Sequence, residues 1–194
     1  MSDYNNKTNS GKRRPKIPRK VSATSLENAG LYYLGRFATS SENLRQVLVR
    51  RIMRAAKHHD TDVEACTQLV GDLIRRYLKS GILNDDIYAQ TQAASMNRRG
   101  ASLRAIRARL LQKAVSSDII DGALAVLAGE VGQPDLAAAI VYARKRRLGP
   151  YRRDTGKPEN LDKELAALAR SGFSYSLALR IVEAKDIDEL ENEL

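Results

Sequence analysis

The chain has no tryptophan and only two phenylalanines beside its eight tyrosines. A surface that stacks successive single-stranded bases needs several aromatics among cations. With so few here, any nucleic-acid contact is expected to run through phosphates. Cys66 is the only cysteine, which excludes an intramolecular disulfide and a cysteine-based zinc finger. The two histidines, His58 and His59, sit together in one polar loop, so no Ser–His–Asp set can be assembled. Phosphate-loop and dinucleotide-binding glycine patterns are missing. No apolar run approaches the roughly 20 residues that cross a bilayer. The basic N-terminus lacks the apolar stretch of a secretory signal. These absences predict a cytoplasmic protein that is no enzyme, binds no metal or cofactor and contacts no membrane.

What the chain does have is positive charge. Its 194 residues carry a net charge of +10, with a pI near 9.9. That balance points to an anionic partner, nucleic acid or an acidic protein surface. Residues 1–20 hold seven Lys/Arg against Asp3 alone. Residues 183–194 hold six Asp/Glu against Lys185, which leaves a net +9 in the middle of the chain. Hydrophobic residues make up 43% and charged residues 29%, the balance of a folded globular chain.

The apolar spacing is helical throughout, with no strand pattern. Residues 1–22, with the run from Gly11 to Lys20, read as a flexible basic arm. Thr24 with Glu27, and Thr61 with Glu64, have the spacing of capping boxes and mark two helix starts. The second of these helices is expected to bury Cys66, Leu69, Val70, Leu73, Ile74, Tyr77 and Leu78, and to end at Gly81. Between the two, Leu44, Val47, Leu48, Ile52 and Ala55 share one face of a helix. Asn84 caps a helix whose first turn holds Asp85 and Asp86, where the helix dipole favours acids. Ile87, Tyr88, Thr91 and Ser95 read as its inner face. Ser102 caps a helix that buries Leu103, Ile106, Leu110 and Leu111. Ser116 or Ser117 starts the next. Gln133-Pro134 opens another, since proline suits the first helical position. Asn160 and Ser174 cap the last two, and the acidic end is expected to fray.

The chain also resembles itself. Leu103, Leu110, Ala114, Val115, Ser116, Ile119, Ala123 and Leu124 align at one constant offset with Leu161, Leu168, Gly172, Phe173, Ser174, Leu177, Ile181 and Val182. A looser copy brings Leu44 and Val47 onto Leu103 and Ile106. Such spacing predicts units that pack on their neighbours in an elongated, curved array, with a long surface in place of a deep pocket.

Leu83 to Ala89, then Arg99-Gly100, Leu103, Ile106, Leu110, Lys113 and Val115 together resemble the central repeat of the RecX family, regulators of the RecA recombinase. Leu31 to Phe37, Ser41 to Arg45, and Phe173-Ser174 extend the resemblance over about residues 25–182. Ala114 departs from the family pattern, which has glycine there. The resemblance implies an all-α fold of three tandem three-helix repeats. We divide the chain into an arm at 1–22, repeats at 23–81, 82–131 and 132–184, and an acidic tail at 185–194. It further implies a protein that binds the RecA–DNA filament and restrains its ATP hydrolysis and strand exchange. A monomer is expected.

The candidate contact residues are Arg98, Arg99, Arg104, Arg107, Arg109 and Lys113, with a second cluster at Arg144, Lys145, Arg146, Arg147, Arg152 and Arg153. They are expected to meet DNA phosphates or an acidic surface of RecA. His58, His59, Asp60, Asp62 and Cys66 have ligand-like spacing, but Cys66 falls on an apolar helix face and behaves there as a small hydrophobe. Asp85 and Asp86 diverge around their helix and fit first-turn capping better than catalysis. The alternative function is a helix-turn-helix regulator using Leu103–Lys113 and Ser117–Leu127. The acidic, apolar Ser117–Leu124 stretch is a poor major-groove reader.

Overall fold

The computed structural model describes residues 17–152 and 161–192. The arm before Ile17, Arg153 and the Asn160 cap lie outside the described residues. Ten α-helices follow in order among the described residues, and no strand. They are α1 (Ala23–Leu34), α2 (Ser41–Ala56), α3 (Val63–Lys79), α4 (Asp85–Arg98), α5 (Leu103–Gln112), α6 (Ser117–Val131), α7 (Pro134–Arg146), α8 (Leu161–Arg170), α9 (Tyr175–Glu183) and α10 (Ile187–Glu191). One 3-10 turn, Gly149–Tyr151, follows α7.

The buried apolar side chains separate into three clusters along the chain. Leu44, Leu48, Ile52 and Val70 centre the first, among α1 to α3. Ala89, Ala93, Ile106, Leu110 and Ile120 centre the second, among α4 to α6. Leu136, Ala139, Leu168, Ile181 and Val182 centre the third, from α7 onward. A buried leucine or isoleucine at such positions contributes roughly 2–5 kcal/mol against alanine.

Several local expectations shift. The start of α1 is capped by Ser22, which forms its box with Ser25, two residues before the expected Thr24. The cap of α3 is Asp62, whose carboxylate accepts from the Ala65 N–H, and Thr61 turns back to the His59 carbonyl. On α3, Leu69 and Leu78 face solvent. The inner face of α4 is Ala89, Ala93 and Asn97, while Ile87 is exposed. Packing on α4 comes from α5, α6 and α7, and close approach from several sides selects alanine over larger side chains. On α5, Ile106 and Leu110 are buried, Leu103 is half-buried and Leu111 is exposed. The acidic end does not fray through residue 191. Leu190 of α10 is fully buried in the third cluster, and Asp186 caps the helix.

The clusters are joined by a recurring polar clamp. The Ser40 hydroxyl accepts from the Asn43 N–H of its own helix and donates to the Lys113 carbonyl at the end of α5. Beside it, Asp85 accepts from the Ser41 N–H at 2.7 Å and the Ser41 hydroxyl at 2.6 Å. The same arrangement recurs further along. The Ser102 hydroxyl accepts from the Ala105 N–H and donates to the Ser171 carbonyl at 2.7 Å, and Asp135 accepts from the Leu103 N–H at 2.7 Å. At the second joint α4 also packs on α7. No helix pair across the first joint packs to that extent.

Each carbonyl in these clamps precedes a residue in the left-handed region, Ala114 (φ 55°) or Gly172 (φ 92°). A Cβ at Gly172 meets the Ser102 hydroxyl at 2.5 Å. Alanine at such a φ costs about 1–2 kcal/mol. Ala114→Gly is therefore expected to raise stability by about 1 kcal/mol in urea unfolding, net of the greater chain entropy of glycine. Gly172→Ala is expected to lower it by at least about 2 kcal/mol, since strain and the steric conflict add. Equal and small effects at the two positions speak against the clamp.

Candidate functional site

The predicted cations divide by what the fold does with them. Where α4 meets α7, the Asn97 side chain donates to the Pro134 carbonyl at 2.8 Å from a buried position. Gly100 sits at φ 90°, and a Cβ there lies only 3.0 Å from the Tyr142 nitrogen. This close approach brings the end of α4 beside the end of α7. Lys145 donates to the Arg99 carbonyl at 2.9 Å. Arg98 and Arg144 rim a hollow of about 580 Å³ floored by Val131, Ala137, Ile140 and Val141. Thus Arg98, Arg99, Arg144 and Lys145 are gathered at one place. Arg144 is further held by Glu191 of α10, and it lies over the Tyr151 ring at 5.5 Å from the centroid. Arg146 lies over Tyr142, and Arg147 is exposed in a left-handed conformation at the end of α7.

On α5, Arg104 is exposed beside the Gly172 turn. Arg107 is paired with Asp121 of α6, and Arg109 donates to Gln112 at 3.3 Å. Lys113 is half-buried, its carbonyl taken by Ser40. The exposed residues of α6 include Asp118, Asp121 and Glu130, and the helix carries no Lys or Arg.

Arg152 is turned inward. It donates twice to Glu164, both at 2.7 Å, and Glu164 also accepts from the Gly149 N–H at 3.0 Å. Side-chain exposure in this pair is 23% and 11%, the least among the ion pairs of the described residues. Burial pushes the Glu164 carboxyl up. The Arg152 and Gly149 donors, with the attraction of the guanidinium, outweigh it and hold the carboxyl below its ordinary value. Arg152 therefore locks the turn after α7 to α8 and offers little charge to a ligand.

The remaining candidates resolve simply. No group of three or more His, Cys, Asp or Glu among the described residues is placed to hold a metal. The His59 ring contacts the Pro18 carbonyl at 2.6 Å. Asp85 is committed to Ser41, whereas Asp86 is exposed. No helix among the described residues is long and apolar enough to cross a membrane. Sequence reasoning passed over a second basic place, between α1 and α2. There Arg51 and Arg54 share a cleft with Arg19, Lys20, Tyr32 and Tyr33. The signal present in the sequence was the i, i+3 spacing of Arg51 and Arg54, which puts both on one flank of α2 beside the stripe of Leu44, Leu48 and Ile52.

No protein-family model matches the chain. Regulatory protein RecX of Myxococcus xanthus is 41% identical over 173 residues, spanning 89% of this chain and 91% of that protein. The chain belongs to the RecX family. Regulatory protein RecX of Agrobacterium fabrum is 32% identical over 168 residues, covering 82% of this chain and 85% of its own length. The crystal structure of RecX from Lactobacillus salivarius superposes with a TM-score of 0.58 at 20% identity, over 89% of this chain and 96% of that one. The all-α fold is thus a RecX fold. Within it, the acidic motif that opens α4 supplies the clamp on Ser41, which gives that stretch of the RecX-like pattern a physical role.

The Arg152–Glu164 pair predicts a pH dependence. The folded-state carboxyl titrates below its unfolded value, so its stabilisation is complete above about pH 5 and is lost as pH falls through the folded value. Glu164→Gln is expected to cost about 2 kcal/mol at neutral pH. The gap to the wild type should narrow progressively in unfolding curves as pH falls below the ordinary carboxylate value.

Proposed function

We propose that this chain binds the filament that the RecA recombinase forms on DNA and restrains its ATP hydrolysis and strand exchange, acting as a cytoplasmic monomer. The observation that carries this reading is the 41% identity to Regulatory protein RecX over 89% of the chain. The net charge of +10 supports it, since both DNA and an acidic protein surface attract such a chain. We read the three core clusters as three copies of one unit, joined by the serine clamps into a surface long enough to contact several filament subunits. Arg98, Arg99, Lys145, Arg146 and Arg147 at the ends of α4 and α7, with Arg104 on α5, are the contact residues we favour. Arg107, Arg144 and Arg152 are less available because Asp121, Glu191 and Glu164 engage them. The acidic exposed residues of α6, which carries no Lys or Arg, speak against a helix-turn-helix regulator.

DNA-dependent ATP hydrolysis by the cognate RecA tests the reading, measured with this protein at substoichiometric amounts. A fall in the rate is expected. No effect, together with no co-sedimentation on filaments, removes the reading. The double reversal Arg98→Glu with Arg104→Glu is expected to weaken filament binding at least tenfold. Both side chains are exposed, so the unfolding free energy should move by about 1 kcal/mol or less. If co-sedimentation of the reversed variant is unchanged, the contact lies on another face.

A further inference from the structure

We propose that the cleft between α1 and α2 is a binding site for single-stranded nucleic acid, holding the phosphodiester backbone among four cations and stacking a base on Tyr32. The proposal rests on the filament reading in one respect, that nucleic acid is the polymer within reach. The chemistry of the cleft supplies the rest.

The cations come from two separate segments. Arg51 and Arg54 stand three residues apart on α2 and so share one side of it. Arg19 and Lys20 belong to the chain just before α1. That segment is pinned by the contact of the His59 ring with the Pro18 carbonyl. Both pairs line the same hollow of about 490 Å³, a volume within the range of small-ligand sites. No carboxylate lines it, and among the described residues none of these four cations makes an ion pair. Like charges gathered in a concave surface repel one another and concentrate the field outward, which is the electrostatic form of an anion site.

The aromatic component separates a single strand from other anions. Tyr32 lines the cleft with 66% of its surface exposed. Its hydroxyl accepts from Arg36 at 2.6 Å, and the same guanidinium lies over the ring at 5.5 Å from the centroid. The ring is therefore held in one orientation while most of it stays in solvent. Every unpaired base has a face to lay on such a ring, and a neighbouring arginine strengthens the stack. A duplex keeps its bases stacked on one another and offers the cleft only its phosphates. An acidic peptide satisfies the cations and leaves the ring without a role.

The test uses the full chain without recombinase. Anisotropy of a labelled 20-nucleotide oligo(dT) (a length of about two typical site sizes) is compared with a duplex of the same length across a salt series. Wild type is expected to prefer the single strand. Arg51→Ala with Arg54→Ala should weaken oligo(dT) binding at least tenfold and reduce the log–log salt slope by about 1.4, two phosphate contacts at about 0.7 each. Tyr32→Ala should weaken oligo(dT) roughly tenfold and leave the duplex unchanged, whereas Tyr32→Phe retains binding. All three side chains are exposed, so unchanged circular dichroism and melting should accompany these losses. Wild-type affinity and slope in the double variant overturn the proposal. So does a Tyr32→Ala loss that is equal for single strand and duplex. A polyglutamate peptide that displaces oligo(dT) at a lower charge concentration than unlabelled oligo(dT) itself assigns the cleft to an acidic protein segment and also overturns it. Because the recombinase is absent, failure here leaves the filament reading standing, and failure of the ATP hydrolysis test leaves this site standing.

Discussion

A serine hydroxyl that caps its own helix and donates to another holds this protein together. Ser40 and Ser102 each accept from an N–H of the helix they begin, and each donates to a carbonyl at the end of a later helix. Few side chains can do both. Alanine does neither, and an ionised aspartate caps but has no proton to give. The helix start and the joint between clusters are thus set by one small group. Its position is fixed further by Asp85 and Asp135, which accept the backbone N–H groups of Ser41 and Leu103. Around these clamps the three apolar clusters close separately, each with its own buried leucines and isoleucines.

Much of this fold is legible in the sequence because its signals are local. Asn84, Ser102, Ser174 and Pro134 mark helix starts at the expected residues, since capping depends on the next three residues alone. The errors lie where distant partners decide. The inner face of α4 reads as Ile87 and Tyr88 by hydrophobicity, yet Ala89, Ala93 and Asn97 are inside because neighbouring helices crowd that side. Leu190 belongs to a short acidic tail with no clear apolar stripe until the third cluster receives it. The first-turn acid Asp85 is visible as a dipole partner, but Ser41, its other partner, lies more than forty residues away.

The candidate site follows the same division. That the chain is basic is plain from counting. Which cations remain available depends on carboxylates that only the fold brings near: Asp121 beside Arg107, Glu191 beside Arg144, Glu164 beside Arg152. Counting aromatics suggested a surface unsuited to bases, and over the whole chain they are sparse. The fold nevertheless gathers Tyr32 and Tyr33 with Arg51 and Arg54 in one cleft. Average composition carries no information about such a local concentration.

The two joints are built unequally. Both have the serine and aspartate clamp, but only the second adds the face of α4 against α7, the buried Asn97 and the close backbone approach at Gly100. The second joint therefore spreads its contacts over two helix faces, while the first concentrates its hydrogen bonds at Ser40, Ser41 and Asp85.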